Sequence, residues 1–300
     1  MTPVIETHQL ARRYGPRIGV DGIDLRIEPG EVFGFLGPNG AGKTTFIRVL
    51  LGFLRPTSGG ARIFGRDCWH DSRAIKREVG YLPGDVRLYP WLTVRRAVGI
   101  IQAAHRGDFQ GPGRDLAARL DIDPDLPVRK MSRGMRQKLA LIIALVHGPK
   151  LLVLDEPTSA LDPLVQITLA DLLRQRCRAG VTVFFSSHTL SEVEHLCDRV
   201  AVVRKGRIVA DEPIDDLRKR ARREVVIRFE SAAAAAAAEP PPDGLTVIER
   251  DGDRWRAELA GEAGALRQWL ARQPVRDLMI GPPDLRTIFH AYYRETEDLD

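Results

Sequence analysis

The sequence has few cysteines, no long apolar run and no signal-peptide pattern. Its three cysteines, Cys68, Cys177 and Cys197, are scattered and form no C-x-x-C pair. An odd, scattered set argues against a disulfide framework and fits a reducing compartment. The longest apolar run, residues 139–146, is far too short to span a bilayer. If the protein acts at a membrane, another chain must therefore do the spanning.

The N-terminal residues 1–6 lack the charged and apolar regions of a signal peptide, so none is expected. The excess of positive charge is also small, because 45 Lys and Arg against 40 Asp and Glu give a net charge of +5. Such an excess could favour nucleic acid or an anionic membrane surface. The basic run 218–223 is short and flanked by acidic residues. A solvated, arginine-rich surface is the preferred interpretation, and no nucleic-acid partner is expected.

Residues 37–44 fit G-x-x-x-x-G-K-[ST], the phosphate-binding P-loop. A strand-like run, residues 32–36, leads into the loop, and a helix-like run, residues 45–51, follows it. Glycines let consecutive N–H groups turn toward phosphates, and the helix N-terminus favours an anion. The alternative, a glycine-rich turn with a solvent-facing lysine, leaves this context unexplained, so a nucleoside triphosphate site is predicted. Its candidate residues are Gly37, Pro38, Asn39, Gly40, Ala41, Gly42, Lys43 and Thr44.

Two P-loop side chains and two carboxylates are candidates for binding phosphate, binding Mg²⁺ and activating water in such a site. Lys43 would supply positive charge to the β- and γ-phosphates, and the Thr44 hydroxyl would ligate Mg²⁺. Asp155 closes the apolar run 151–154, where it would hold Mg²⁺ directly or through water. Glu156 is a candidate general base for the attacking water. The alternative is that both carboxylates merely end a strand.

His188 and Tyr14 are candidates whose role the local sequence leaves open. His188 follows the apolar strand 181–185, where an imidazole could reach a γ-phosphate, although alone it is better interpreted as structural. Tyr14 precedes the P-loop and could stack on a nucleobase or be a half-buried strand tyrosine. For Tyr14 the two interpretations are even on that segment alone.

Alternating strand-like and helical segments predict an α/β fold with a mostly parallel sheet. Residues 4–36 are predicted as strands broken by turns, and residues 86–146 as an inserted helical subdomain. The composition shifts after about residue 220, so residues 221–300 are predicted as a small C-terminal α+β domain. Its Ala/Pro-rich segment 231–243 could be a short helix or a low-complexity insertion, and the sequence does not decide between them.

Taken in order, these motifs resemble the ATP-binding subunit of ABC transporters over roughly residues 4–220. The matching segments are the base-stacking aromatic (Tyr14), the Walker A loop (37–45, with Thr45), the signature region (131–135), Walker B (151–156), the D-loop (159–162, with Asp162) and the switch histidine (His188). The resemblance implies a P-loop NTPase domain, residues 1–220, with a mostly parallel sheet, an antiparallel β subdomain and a helical subdomain.

This resemblance also implies ATP and Mg²⁺ as cofactors and ATP hydrolysis as the activity. It implies a head-to-tail dimer with two ATP molecules at the interface. A chain with a single cassette could pair with a second copy or with a heteromeric partner, and a homodimer is the preferred interpretation. Ser132 and Gly134 of one subunit would then face the γ-phosphate bound to the other. The dimer would lie at the cytoplasmic face of the cell membrane as a peripheral protein.

The C-terminal region resembles, on residues 282–293, the accessory domain of the daunorubicin-resistance type of ABC exporter. That implies an ABC-2 type membrane permease as partner and export of a drug, antibiotic or lipid-like compound. Two alternatives stay open, a soluble ATP-driven clamp on nucleic acid or ribosomes and a regulatory ATP-binding protein with slow turnover. Clamp proteins usually carry two cassettes or a long coiled coil, whereas this chain has one P-loop and no sustained heptads.

Three positions depart from the family pattern, and two of them, Gly84 and Met135, motivate the slow-turnover alternative. The Q-loop glutamine would fall at Gly84, which has no side chain to touch Mg²⁺ or the lytic water. That Asp85 compensates is a hypothesis. In the signature, Arg133 replaces a glycine and Met135 replaces the glutamine.

Overall fold

The computed structural model describes residues 2–294, apart from the side chains of residues 290, 291, 293 and 294. The chain divides into two compact units between Asp211 and Glu212. The predicted assignment of residues 1–220 to an ATP-binding domain and of residues 221–300 to an accessory domain stays a prediction. Within the described residues, no helix is long and apolar enough to cross a membrane.

Ten strands begin in the first unit and form two sheets. They are β1 (Ile5–Tyr14), β2 (Arg17–Ile27), β3 (Val32–Leu36), β4 (Ser58–Ile63), β5 (Arg66–Asp67), β6 (Val79–Leu82), β7 (Leu151–Asp155), β8 (Thr182–Ser187), β9 (Arg199–Arg204) and β10 (Arg207–Pro213). The helices are α1 (Lys43–Leu50), α2 (Ser72–Lys76), α3 (Val94–His105), α4 (Gln110–Arg119), α5 (Arg133–Leu145), α6 (Pro163–Arg178) and α7 (Leu190–Leu196), with a 3₁₀ turn at Val128–Lys130.

The larger sheet has the order β10-β9-β3-β8-β7-β6 and is parallel from β9 through β6. Strands β3, β7 and β8 are buried along their whole length, as expected for strands covered on both faces. Because parallel strands end at the same edge, the residues that follow β3, β7 and β8 meet there. The sheet thereby gathers the P-loop, the two carboxylates and His188 at one edge.

The smaller sheet is the predicted antiparallel β subdomain, with the order β2-β1-β4-β5. Strand β1 pairs antiparallel with both β2 and β4. The pairs Arg12–Val20 and Arg13–Ile18 leave Gly19 as an extra residue in β2. This bulge re-aims the strand locally, and it lies beside the P-loop.

Four stacked phenylalanines fix the P-loop helix against the larger sheet. Phe46 on α1 stacks on Phe35 of β3 with ring centroids 4.8 Å apart, and on Phe184 of β8 at 5.9 Å. Phe33 completes the group at 6.0 Å from Phe184. All four rings are fully buried, so they add aromatic contact to a large apolar burial. The start of α1 is therefore held firmly at the sheet edge.

The helical subdomain consists of α3, α4 and α5, all within the predicted range 86–146. Thr93 caps α3 by accepting a hydrogen bond from Arg96 N, and Ser132 caps α5 by accepting one from Met135 N. Helix α5 is buried along most of its length, which explains its continuous apolar sequence. Ser132 is thus fixed at a helix N-terminus.

The second unit contains α8 (Ile214–Arg220), β11 (Arg223–Phe229), α9 (Ala232–Ala236), β12 (Leu245–Asp251), β13 (Arg254–Leu259), α10 (Gly264–Leu270), β14 (Val275–Pro283) and α11 (Leu285–Arg294). Its antiparallel sheet has the order β12-β13-β11-β14, so β11 to β14 follow the β-α-β-β-α-β pattern. Ser231 caps the alanine helix α9, so this part of the Ala/Pro-rich segment is a helix. The central strand β11 was not among the predicted strands.

Candidate nucleotide-binding site

The P-loop joins β3 to α1 in a conformation that depends on glycine. Gly40 and Gly42 have φ values of 83° and 108°, in the left-handed region that disfavours other residues. A Cβ on Gly42 would lie 2.2 Å from the carbonyl oxygen of Gly19, which is the bulge residue of β2. The loop is therefore packed against β2 too closely for any side chain at position 42.

The turn between β9 and β10 closes the other side of the loop. Gly206 N donates to the carbonyl of Ala41 at 2.9 Å, and Asp21 N donates to the carbonyl of Gly206 at 2.9 Å. A Cβ on Gly37 would lie 2.4 Å from the carbonyl oxygen of Val203. These contacts fix the loop shape through residues far away in the sequence.

Lys43 begins α1 and points back into its own loop. Its Nζ donates to the carbonyl of Gly37 at 2.5 Å and to that of Pro38 at 3.2 Å. The same Nζ lies 3.2 Å from Glu156 Oε1, and the lysine side chain is only 6% exposed. The buried ammonium is thus neutralised by one carboxylate and hydrogen-bonded to two carbonyls, and a phosphate could replace these partners.

Asp155 and Thr44 form a hard-oxygen pair beside the lysine. Thr44 Oγ1 donates to Asp155 Oδ2 at 2.8 Å, and Ser186 Oγ donates to Asp155 Oδ1 at 2.6 Å. Among residues 2–294, no group of three or more His, Cys, Asp or Glu side chains could hold a metal by itself. Mg²⁺ fits this arrangement, because it takes few protein ligands and completes its shell with water and phosphate oxygens.

Glu156 has a left-handed backbone, with φ of 52°, which is uncommon for a residue with a side chain. Its N–H donates to the carbonyl of Ser186 at 3.1 Å. Its Oε2 lies 2.7 Å from Nδ1 of His188, while Oε1 faces Lys43. The carboxylate therefore bridges the P-loop lysine and the histidine, which is where a base acting on a phosphate-bound water would stand.

A cleft of about 560 Å³ opens above the P-loop. Its lining combines the phosphate-facing residues with the surface around β1 and β2. Tyr14 is 40% exposed in this lining, which leaves ring area for a planar group. The lining residues are Tyr14, Arg17, Ile18, Gly19, Pro38, Asn39, Gly40, Gly42, Lys43, Thr44, Thr45, Arg48 and Glu156.

Comparison with known proteins identifies this architecture. The family profile described as ABC transporter matches residues 20–159. The bacitracin transport ATP-binding protein BcrA of Bacillus licheniformis is 37% identical over 227 residues, covering 74% of each chain. This chain belongs to the ABC transporter ATP-binding family.

Two further comparisons agree with this membership. The Nod factor export ATP-binding protein I of Burkholderia thailandensis is 37% identical over 212 residues, covering 69% of this chain and 70% of that protein. A solved structure described as the ATP-binding subunit of an ABC transporter is 26% identical, with a TM-score of 0.67, and the match covers 72% of this chain and 92% of that one. The predicted resemblance and the P-loop NTPase fold are confirmed, and this ABC cassette binds ATP and is an ATPase.

Seven predicted site residues of the cassette are not in the cleft lining. Four of them contact or directly adjoin lining residues, namely Gly37, Ala41, Asp155 and His188. The other three, Ser132, Gly134 and Asp162, belong to other segments. Ser132 caps α5, and Asp162 caps α6 by accepting a hydrogen bond from Val165 N at 3.0 Å. Gly134 lies against the D-loop, because a Cβ there would stand 2.7 Å from the carbonyl oxygen of Ala160. The structure of a single copy does not test the predicted roles of Ser132, Gly134 and Asp162 in nucleotide binding, so these roles stay predictions.

The departures from the family pattern have clear positions in the cassette. A Cβ on Gly84 would lie 3.3 Å from Asp155 Oδ2, so this position adjoins the predicted Mg²⁺ site. Asp85 pairs with Arg87 at 2.8 Å, and its side chain is 70% exposed. Arg133 donates to Ser159 Oγ at 3.3 Å, which ties the signature region to the D-loop. Asp85 is thus engaged away from the cleft lining.

Sequence reasoning missed three contributors to the ABC site. Ser186 orients Asp155, Gly19 makes room for the P-loop, and Arg48 lines the cleft. Ser186 is the penultimate residue of β8, two residues before His188, and the parallel pairing of β7 with β8 sets it opposite Asp155. Its position at that strand end was the available signal. Gly19 and Arg48 carried none, because their roles depend on tertiary packing.

Proposed function

We propose that this ATPase powers a separate ABC-2 type membrane permease that exports a drug, antibiotic or lipid-like compound. The support for export is that relatives with 37% identity are named for bacitracin transport and Nod factor export. The support for coupling is that the P-loop, the two carboxylates and His188 meet at one edge of the larger sheet. The protein works at the cytoplasmic face of the cell membrane as a peripheral subunit.

The bridge from Lys43 through Glu156 to His188 is the observation that carries the hydrolytic role. With ATP bound, the Lys43 ammonium exchanges its ion pair with Glu156 for contacts with the β- and γ-phosphates. Glu156, which keeps its contact with His188, then accepts a proton from the attacking water. His188 holds the carboxylate in position and reaches the γ-phosphate from the end of β8. Thr44 and Asp155 hold Mg²⁺, which when bound neutralises charge on the phosphates.

The nucleobase stacks on Tyr14 at the far end of the cleft. Two copies of the cassette form a head-to-tail homodimer around two ATP molecules. Ser132 and Gly134 of one copy face the γ-phosphate bound to the other, since neither residue lines the cleft of its own copy. Ser132 already stands at the N-terminus of α5, a favourable place for an anion.

The helical subdomain and the loop before it form the contact with the permease. Tyr89 and Trp91 are 69% and 44% exposed and stack on each other with centroids 5.6 Å apart. Arg96 lies over the Trp91 ring at 6.0 Å. Exposed, rigid aromatics of this kind are typical of protein interfaces.

The test is a tagged pull-down from mildly cross-linked, detergent-solubilised native membranes, with partners identified by mass spectrometry. A stoichiometric polytopic membrane protein is expected. Tyr89→Ala/Trp91→Ala should reduce its recovery, whereas Tyr14→Ala should leave recovery unchanged. Recovery only from the soluble fraction with ribosomal proteins or DNA would overturn the permease proposal in favour of the clamp.

One observation favours a second candidate, a cassette with slow turnover that acts mainly through ATP binding. Gly84 offers no side chain beside Asp155, and Asp85 is paired with Arg87. Steady-state phosphate release, compared with that of Glu156→Gln, distinguishes the two. A wild-type rate no higher than that of the variant would favour the regulatory role.

A further inference from the structure

Arg12 lies directly behind the tyrosine of the cleft. Its guanidinium carbon is 4.9 Å from the centroid of the Tyr14 ring, a cation–π distance. Arg12 is half-buried and does not line the cleft, whereas Tyr14 does. The arginine therefore covers the tyrosine from outside the cleft lining.

Two neighbours restrict the pair further. Arg12 donates through a terminal guanidinium nitrogen to the carbonyl of Arg55 at 3.0 Å, which fixes the far end of the side chain. A Cβ on Gly19 would lie 2.9 Å from both Tyr14 Cε2 and Thr45 Cγ2. The absence of a side chain at Gly19 thus lets the tyrosine ring lie close to the P-loop helix. The ring is held at its edge by this contact and at one face by Arg12.

We propose that Arg12 is a positioning residue for the nucleobase, acting through Tyr14. A guanidinium against one ring face restrains the tyrosine so that its other face is ready to stack on a purine. Stacking on a ring already held in place avoids the entropy of ordering that side chain. The inference rests on the proposed stacking of the base on Tyr14.

The experiment compares ADP with pyrophosphate, two ligands that share the phosphate contacts and differ in the base and ribose. Calorimetric titration of the full chain gives both affinities for wild type, Arg12→Gln, Tyr14→Ala and the double variant. Arg12→Gln should weaken ADP binding about three- to tenfold and leave pyrophosphate binding unchanged. Unchanged pyrophosphate binding also shows that the variant is folded.

Two variants sharpen the test. Arg12→Lys keeps a cation near the ring and should restore most of the ADP affinity. Arg13→Gln is the matched control, because Arg13 pairs with Asp21 rather than with the tyrosine. In the double variant, Arg12→Gln should add nothing to the loss caused by Tyr14→Ala, since the arginine acts only through that ring.

The failures are distinguishable. If Tyr14→Ala weakens ADP but Arg12→Gln does not, the role of Arg12 is overturned and the proposed stacking stands. Equal losses for ADP and pyrophosphate, or additive losses in the double variant, overturn it as well. If Tyr14→Ala leaves the ratio of the two affinities unchanged, the stacking itself is wrong, and the role of Arg12 falls with it.

Discussion

Replacing Glu156 by glutamine separates the two tasks of this carboxylate. The substitution keeps the size of the side chain and its oxygen toward Lys43 or His188, but it removes the negative charge. Without nucleotide, the Lys43 ammonium then lacks its only close carboxylate among the described residues, at a position where the lysine is 6% exposed. The variant should therefore be less stable than wild type when empty.

The magnitude follows from the remaining partners of the lysine. Removing one partner of a buried ion pair costs about 3–5 kcal/mol when the other charge is left uncompensated. Lys43 keeps the carbonyls of Gly37 and Pro38 at 2.5 and 3.2 Å and gains a neutral amide oxygen. We therefore expect a loss of about 1–2 kcal/mol. In a unit of this size, that corresponds to a melting temperature lower by about 3–6 °C.

With ATP bound, Glu156→Gln should be more stable than wild type. The phosphates supply Lys43 with new anionic partners, and glutamine does not repel them as glutamate does. Hydrolysis should fall by about 10²–10⁴-fold, because glutamine cannot accept the proton of the attacking water. The variant should consequently accumulate as an ATP-bound dimer.

Thermal melting without nucleotide and with MgATP, together with single-turnover phosphate release, tests each part. Glu28→Gln, at a half-exposed glutamate paired with Arg26, is the control and should change neither measurement. A Glu156→Gln protein that melts like wild type when empty would refute the structural part of the reasoning. Unchanged phosphate release would refute the catalytic part, and light scattering that shows only monomers at saturating ATP would refute the dimer.

Three further predictions address the loop, the pH dependence and the turnover rate. Gly42→Ala should abolish binding of a fluorescent ATP analogue, because the new methyl group would lie 2.2 Å from the carbonyl oxygen of Gly19. Burial, and secondarily a neighbouring histidine, lower the pKa of His147 from 6.5 to about 4. As the pH falls, the unfolded chain therefore protonates His147 before the folded chain does. The free energy of unfolding should decrease as the pH drops from about 6.5 toward 4, by about 1–2 kcal/mol at pH 5. Urea melts of His147→Gln should lack this His147-dependent decrease. Gly84→Gln should raise steady-state phosphate release by up to about tenfold, while Asp85→Ala should leave it unchanged. No gain with Gly84→Gln together with a loss with Asp85→Ala would show that Asp85 does compensate.

Much of the fold follows from local patterns. Helix α6 and strand β13 begin directly after strong local boundary signals, which are Asp162-Pro163 for the helix and the turn at Asp251-Gly252-Asp253 for the strand. The P-loop is recognisable because its residue types and its strand–loop–helix context are both local. The meeting of β3, β7 and β8 at one edge follows from the rule that parallel strands end together.

The remaining features depend on contacts that the linear pattern does not contain. Strand β11 was missed because the low-complexity alanines next to it dominate the segment, although β11 pairs with both β13 and β14. Glu156 contacts both Lys43 and His188, so its position is defined only when three segments that are distant in the sequence come together. The close approach of the Tyr14 ring to the P-loop helix depends on the missing side chain of Gly19, the bulge residue that only the register of β1 and β2 defines.

The turn at Gly206 has a consequence for how the protein is made. Its N–H holds the Ala41 carbonyl, and its own carbonyl holds Asp21 N, so the loop lacks its support until that turn is in place. During translation the P-loop leaves the ribosome early, but the turn follows only when more than 160 further residues have emerged. Long-range closure of this kind is slow compared with local helix formation. A nascent chain that ends before Gly206 should carry the complete motif and still fail to bind nucleotide.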